Sequence, residues 1–349
     1  MASSNITLIT TGGTIGSSIE SDSVDVSQGQ QKLMAHIQAF CQQHAMTLSI
    51  QAALNKNSED VGPSDWLTLI QHVEKAIANG ADKIVITHGT DTMAYTAAAV
   101  SLCFSQQPVK IVLTGSFYAL DHPSSDVTKN LQGAFATINE AQIPNGIYLS
   151  FTNQAGATNV MDAQDIKPMA FDEQQFDATF GQLIGTFNTA TDPFVANPQA
   201  RITQRLACTL KGSDISPSWL SNKPGKVIQL VCYPGMNAMQ LCANLAAGSC
   251  IIISLYHSGT GPAHQTEEGL LKAIKSFPEL TFLLTPLPAR YITKPYTSTL
   301  TLLAAGALLY QDIQPHMLYV LLTLGMASGL QTQDILTPLR SFQIAPKNP

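Results

Sequence analysis

The sequence is poor in charge. Only 12% of its 349 residues are Asp, Glu, Lys or Arg, and the 18 basic residues are scattered. With a net charge of −6, no basic stripe offers itself to phosphates, so no nucleic-acid partner is expected. Long hydrophobic runs are missing as well. The longest, at 251–255, 300–309 and 317–324, fall far short of the ~20 residues that span a bilayer, and no membrane partner is expected. Met1-Ala-Ser-Ser-Asn5 carries neither a charged n-region nor an apolar h-region, which reads as a soluble, cytoplasmic protein. The six cysteines (41, 103, 208, 232, 242 and 250) show no CxxC and no metal-ligand spacing. Several lie in apolar segments, which points to buried reduced thiols. GxGxxG and GxxxxGK[ST] are absent, which removes both nucleotide fingerprints. GxSxG and SxxK are absent too, and the eight histidines form no evident triad.

What is present is apolar residues in quantity, 45% of the chain, enough for a large core. At roughly 150 residues per domain the length points to about two domains. Strand-like runs at 6–10, 83–87, 109–114 and 147–151 alternate with helix-like segments at 30–44, 64–73, 93–104 and 129–141. This rhythm predicts an α/β fold with a mixed, mostly parallel sheet in a larger N-terminal domain, residues 1–204. Residues 205–226, rich in Gly, Pro and Ser, read as a linker. Strands at 227–232, 250–255 and 281–285 and helices at 237–247, 266–276 and 298–310 then predict a smaller C-terminal parallel α/β domain, 227–349.

In open α/β sheets ligands lie beyond the carboxyl ends of the strands, so the loops after them carry the chemistry. After the first strand comes Thr10-Thr-Gly-Gly-Thr-Ile-Gly16, either a tight turn or a turn presenting Thr14 as an exposed nucleophile. After 83–87 comes His88-Gly-Thr-Asp-Thr92. Thr90 or Asp91 there is expected near a helix N-cap, as an ordinary cap or as part of a site where the backbone amides of that helix end favour a carboxylate. Leu113-Thr-Gly-Ser116 ends another strand, and Ser125, Asp126 and Asn130 read as turn and cap residues. Lys167, in Asp165-Ile-Lys-Pro168, is either a solvated surface lysine or a desolvated general base.

Together these pieces resemble the L-asparaginase family, the bacterial-type enzymes with a threonine nucleophile. Thr11-Gly-Gly-Thr-Ile15 resembles its first signature and His88-Gly-Thr-Asp-Thr92 its second. Asp65-Trp66 after Ser58, Thr114-Gly-Ser116, Ser125-Asp126 with Asn130, and Tyr233-Pro-Gly235 are further likenesses. The resemblance implies hydrolysis of L-asparagine to L-aspartate and ammonia, with no metal and no cofactor. It implies that Thr14 forms an acyl-enzyme, while Thr90, Asp91 and Lys167 relay protons. Ser58, Glu59 and Asp91 would hold the substrate's α-carboxylate and α-amino groups, Ser116 would lie near the amide, and the turns around Gly89 and Gly115 would supply backbone donors. It also implies a homo-oligomer, a dimer or a tetramer.

Three departures from the family stand out. The loop Ser17-Ser-Ile-Glu-Ser-Asp-Ser-Val-Asp-Val26 lacks the family's tyrosine. Phe117 replaces the glutamine after Gly-Ser, and Ser258-Gly-Thr-Gly261 replaces a Gly-Asn pair. The alternatives are therefore a mixed asparaginase–glutaminase acting also on L-glutamine, and an amino-acid-binding homologue with weak or no turnover. The same domain occurs in archaeal tRNA-dependent amidotransferases, which carry an extra N-terminal domain, whereas this chain begins at the first strand.

Overall fold

Seven consecutive buried residues, Ile6–Gly12, form the first strand. The computed structural model describes residues 6–13, 15, 18–20, 23–43, 47–170, 173–179, 183–189, 191–200, 210–222, 226–264, 267–286 and 294–339. The chain divides into two compact units, Met1–Ser213 and Asp214–Pro349.

In chain order the first unit holds β1 (Ile6–Gly12), β2 (Ser18–Glu20), β3 (Ser23–Asp25), α1 (Val26–Gln43), β4 (Leu48–Lys56), α2 (Pro63–Ala78), β5 (Lys83–Thr87), α3 (Met93–Phe104), β6 (Lys110–Thr114), α4 (Val127–Asn139), β7 (Gly146–Thr152), β8 (Thr158–Asp162), β9 (Gly185–Phe187) and β10 (Val195–Ala196). Eight of these strands make one sheet in the order β10-β9-β8-β7-β6-β5-β1-β4. From β4 to β7 the neighbours are parallel, and β7 to β10 are antiparallel. The fold is thus α/β with a mixed, mostly parallel sheet. Each parallel step needs a crossover, and α1, α2, α3 and α4 supply one apiece.

The apolar cores of β5 and β6, Ile-Val-Ile and Ile-Val-Leu, suit strands covered on both faces. Helix α3 is apolar nearly all round and is buried accordingly. Helix α2 begins with Pro63 in its first turn, and Asp65 Oδ2 accepts the Gly62 N–H at 3.0 Å. Strand β4 has no counterpart among the expected strands. Its residues are only partly buried and include Ser49, Gln51, Asn55 and Lys56, so its apolar signal is weak.

The chain runs from β1 to β4 on one side of β1, then crosses to β5 on the other. Among the parallel strands this is a doubly wound order with its switch point between β1 and β5, where such sheets bind ligands. The register aligns Thr10, Thr87 and Thr114 in one row across β1, β5 and β6, all three buried.

The second unit contains α5 (Pro217–Asn222), β11 (Val227–Val231), α6 (Ala238–Cys242), β12 (Cys250–Leu255), α7 (Leu270–Ser276), β13 (Thr281–Pro286), α8 (Thr297–Ala304), β14 (Leu308–Leu309), α9 (Pro315–Ala327) and α10 (Thr332–Leu336). Strands β11 to β14 form a parallel sheet in chain order. The helix expected over 298–310 is corrected: α8 stops at Ala304, Gly306 takes φ +116°, and Leu308 and Leu309 pair with Leu283 and Leu284. A glycine with positive φ ends helices because it has no Cβ to clash. The helix expected over 237–247 contracts to Ala238–Cys242. The apolar run 317–324 lies within α9, where all its residues but Tyr319 are buried. No described helix is long and apolar enough to cross a membrane. The described cysteines are free thiols, Cys103, Cys232, Cys242 and Cys250 buried and Cys41 partly so.

Candidate active site

The site grows out of two glycines. Gly12 and Gly13 leave β1 with φ of +98° and +79°, a conformation that L side chains rarely adopt. Gly13 donates to the Lys56 carbonyl at 2.9 Å, which ties the turn to the end of β4. A Cβ on Gly13 would collide with the backbone of Gly89. The turns after β1 and β5, far apart in sequence, therefore touch backbone to backbone. Thr11 Oγ1 strengthens the junction by donating to the Thr87 carbonyl at 2.9 Å.

A third turn joins them. After β4 the residues Ser58–Asp60 form one turn of 3₁₀ helix. A Cβ on Gly89 would lie 2.6 Å from Ser58 Oγ. Ser58 Oγ donates to Asp91 Oδ2 at 2.7 Å, and the Ser58 carbonyl accepts from Thr92 Oγ1 at 2.6 Å. Ser58 and Thr90 are buried, and Asp91 and Glu59 reach solvent. The buried hydroxyl thus anchors an exposed carboxylate, which keeps one face available to a cationic group.

His88 supports this arrangement from within. It is fully buried; its Nδ1 donates to the Gly89 carbonyl at 2.8 Å, and its Nε2 accepts from Thr96 Oγ1 at 2.8 Å. The proton sits on Nδ1 because a carbonyl only accepts. Burial pushes the His88 pKa down to about 4, so the ring is neutral at pH 7. An unfolded imidazole titrates near 6.5. Below that pH the unfolded chain takes up a proton that the folded chain refuses, so stability falls as pH drops from about 6.5 to about 4. One such histidine contributes a slope of at most ~1.4 kcal/mol per pH unit. Urea midpoints between pH 7 and 4.5 should fall less steeply in His88→Gln than in wild type; equal slopes would remove His88 from this role.

The turn after β6 meets the others through Gly115, whose Cβ would strike the His88 carbonyl and lie 2.6 Å from Met93 Cε. Ser116 follows it, fully buried, with an Oγ that has no partner among the described residues. Asn130 ties this turn down. Its Nδ2 donates to the Gly115 carbonyl at 2.9 Å and to Asp126 Oδ2 at 2.8 Å, and its Oδ1 accepts the Thr152 N–H at 2.8 Å. Asp126 also accepts the N–H groups of Phe117 and Tyr118. The sequence marked Asp126 and Asn130 as turn and cap residues and as a likeness to the family; their bridging of β6, α4 and β7 depends on strand adjacency. Asn130→Ala leaves a buried carbonyl and a buried N–H unpaired, so a loss of about 2–4 kcal/mol is expected from chemical denaturation.

The expected site residues are thus only partly assembled by visible bonds. Ser58, Gly89 and Asp91 come together, with Thr90 between the last two. Glu59 follows Ser58 without a bond of its own to the cluster. Thr14 lies outside the described residues. Lys167 lies beyond β8, its N–H donating to the Asp177 carbonyl at 2.9 Å beside the Ile166–Ala178 bridge. Its Nζ makes no bond to a described residue. The loop that lacks the tyrosine contains the antiparallel pair β2 and β3. The replaced pair in the second unit is stapled internally, with Thr299 Oγ1 donating to the Gly259 carbonyl at 2.7 Å. Among the described residues no group of three His, Cys, Asp or Glu side chains is placed to hold a metal.

Over its sequence the chain is similar to a glutamyl-tRNA(Gln) amidotransferase subunit of Pyrobaculum aerophilum, 27% identical over 305 residues covering 84% of this chain and 69% of the relative. The corresponding protein of Thermoplasma acidophilum is 24% identical over 282 residues, covering 78% and 62%. An L-asparaginase of Thermococcus kodakarensis is 42% identical over 101 residues, 29% of this chain and 30% of the relative. The chain therefore spans little more than three-fifths to two-thirds of the length of these amidotransferase relatives. In fold it is similar to the thermostable L-asparaginase of Thermococcus kodakarensis, with a TM-score of 0.76 at 22% identity over 96% of each chain. Residues 5–191, more than half of the chain, match the family described as asparaginase, N-terminal, and with the turns after β1 and β5 in place the chain belongs to the asparaginase family.

Proposed function

We propose that the chain hydrolyses the side-chain amide of L-asparagine to L-aspartate and ammonia. The observation that carries this reading is the contact of Gly13 with Gly89, where Ser58 and Asp91 also meet, at the switch point of the sheet. In this reading Thr14 Oγ attacks the amide carbon and gives up its proton through the Thr90, Asp91 and Lys167 group. A threonine hydroxyl is a weak nucleophile until a base takes that proton. The amide nitrogen leaves as ammonia once protonated, and water then hydrolyses the ester on Thr14 to release the acid.

The substrate is a zwitterion, so both charges need partners. Asp91 and Glu59 receive the ammonium group, and Ser58 with the backbone at the start of α3 receives the carboxylate. Backbone donors in the turns around Gly89 and Gly115 stabilise the oxyanion, with Ser116 beside the amide. Soluble, cytoplasmic operation as a homodimer or homotetramer belongs to the same proposal.

A second reading takes L-glutamine as the amide donor. It is favoured by the relatives named as amidotransferase subunits, which match most of this chain. One methylene in a simple pocket discriminates by only ~1–3 kcal/mol, so both amides belong in the test. Ammonia release is measured from L-asparagine and L-glutamine, and kcat/KM is compared. A higher value for L-asparagine is expected. No release from either amide above a Thr14→Ala control sinks the hydrolytic reading, and tight amino-acid binding in that case would favour a silent homologue.

A further inference from the structure

Lys167 is placed by a loop that folds back on itself. Ile166 and Ala178 face each other in an antiparallel bridge, the Lys167 N–H donates to the Asp177 carbonyl at 2.9 Å, and the Thr179 N–H donates to the Asp165 carbonyl. The outgoing arm, which carries Lys167, is thus bonded to the returning arm, and whatever holds the returning arm places the lysine. Two side chains hold it. Phe176, buried, packs edge-to-face on Phe151 of β7, with centroids 5.2 Å apart and planes at 79°. Two residues earlier, Gln174 Nε2 donates to the Tyr118 hydroxyl oxygen at 3.0 Å.

These contacts constrain different things. Apolar burial is non-directional, so the Phe176 ring fixes the distance of the arm from the sheet more than its orientation. A hydrogen bond has a preferred line and fixes the orientation as well. Packing adds little on the Gln174 side, because Tyr118, Thr152, Asn153, Gln154 and Gln174 line a cavity of about 300 Å³. The other polar contact there, from the Gln154 N–H to Gln175 Oε1, is 3.5 Å long, beyond the usual range. Tyr118 itself is held from both ends. Its N–H donates to Asp126 Oδ1 at 3.0 Å, and its ring stacks on His122 with centroids 4.3 Å apart and meets Phe117 edge-on at 4.9 Å. Asp126 is bonded in turn to Asn130. Tyr118 follows Ser116 by two residues in the same turn.

We propose that Tyr118 is a positioning residue, which ties the Lys167 loop to the turn after β6 through Gln174. The proposal rests on the hydrolytic reading, in which Lys167 moves a proton. Tyr118 then acts on the rate through the position of the lysine. Removing its hydroxyl leaves Ser58, Glu59 and Asp91 in place, so substrate binding is kept and the chemical step slows.

The test uses two substitutions. Tyr118→Phe keeps the ring and its stack on His122, and Gln174→Leu removes the donor from the other side. Each should lower kcat for L-asparagine by about fivefold or more with KM within about twofold, since orientation of a reacting group governs the chemical step. The double variant should match the single ones within about twofold, because both delete the same bond. Added to Lys167→Met, Tyr118→Phe should change kcat less than about twofold, whereas a merely structural role would slow both backgrounds alike. Amide exchange gives a readout independent of turnover: peptides covering 166–178 should exchange about fivefold faster or more in both single variants, with those covering β6 unchanged. A Tyr118→Phe protein at wild-type kcat, an equal loss in the Lys167→Met background, or unchanged exchange over 166–178 overturns the proposal. No ammonia release by wild type above Thr14→Ala sinks the hydrolytic reading instead, and the tether between Tyr118 and the loop is then decided by exchange alone.

Discussion

Gly89→Ala should lower kcat/KM for the amide substrate about 100-fold while leaving the fold intact. A methyl group at this position has nowhere to go. Its carbon would lie 2.6 Å from both Cβ and Oγ of Ser58 and 3.1 Å from the Gly13 Cα. Either the 3₁₀ turn or the turn after β1 must move. A misplacement of about 1 Å between reacting groups costs on the order of 100-fold in rate, because orientation supplies much of the barrier reduction. Gly62→Ala is the control: nothing lies within 4 Å of its added carbon, so its rate should match wild type. Gly13→Ala should be worse than Gly89→Ala, since its φ is positive and the obstacle is the Gly89 backbone itself. Ammonia release together with the urea midpoint separates a local shift from unfolding. A Gly89→Ala protein with full activity would show that the contact between the two turns is irrelevant to turnover.

Thr14→Ala should remove turnover by about 10⁴-fold or more, since it deletes the proposed nucleophile and leaves only binding and oxyanion donors. Lys167→Met should cost ~10²–10⁴-fold, the usual contribution of a positioned acid or base. The two effects should not add. Once the nucleophile is gone, a proton relay serving it has nothing to do, and the double variant should match Thr14→Ala within a few fold. Lys167→Met at the wild-type rate would remove Lys167 from the mechanism. An additive double variant would place it in a separate task.

The helix Met93–Phe104 and the strand Lys83–Thr87 were readable residue by residue, because each is a homogeneous run: alanine-rich in one case, β-branched in the other. Thr11-Gly-Gly-Thr-Ile15 and His88-Gly-Thr-Asp-Thr92 were readable as chemistry for the same reason, glycines beside hydroxyls where a strand ends. Less was visible where burial is partial. Strand β4 carries the Ser58 turn yet shows no clear apolar run. In the second unit Gly306 breaks an apolar stretch that otherwise resembles one helix. Asn130 and His88 were marked by their motifs, but not the bonds that they make, because those reach groups on neighbouring elements.

Local pattern alone, then, determined which turns carry hydroxyls, carboxylates and glycines, since propensity and side-chain chemistry act over a few residues. Which of those turns touch was decided by the sheet. Placing β4 and β5 on opposite sides of β1 requires pairing between distant segments, and only that pairing brings Gly13 onto Gly89 and Ser58 onto Asp91.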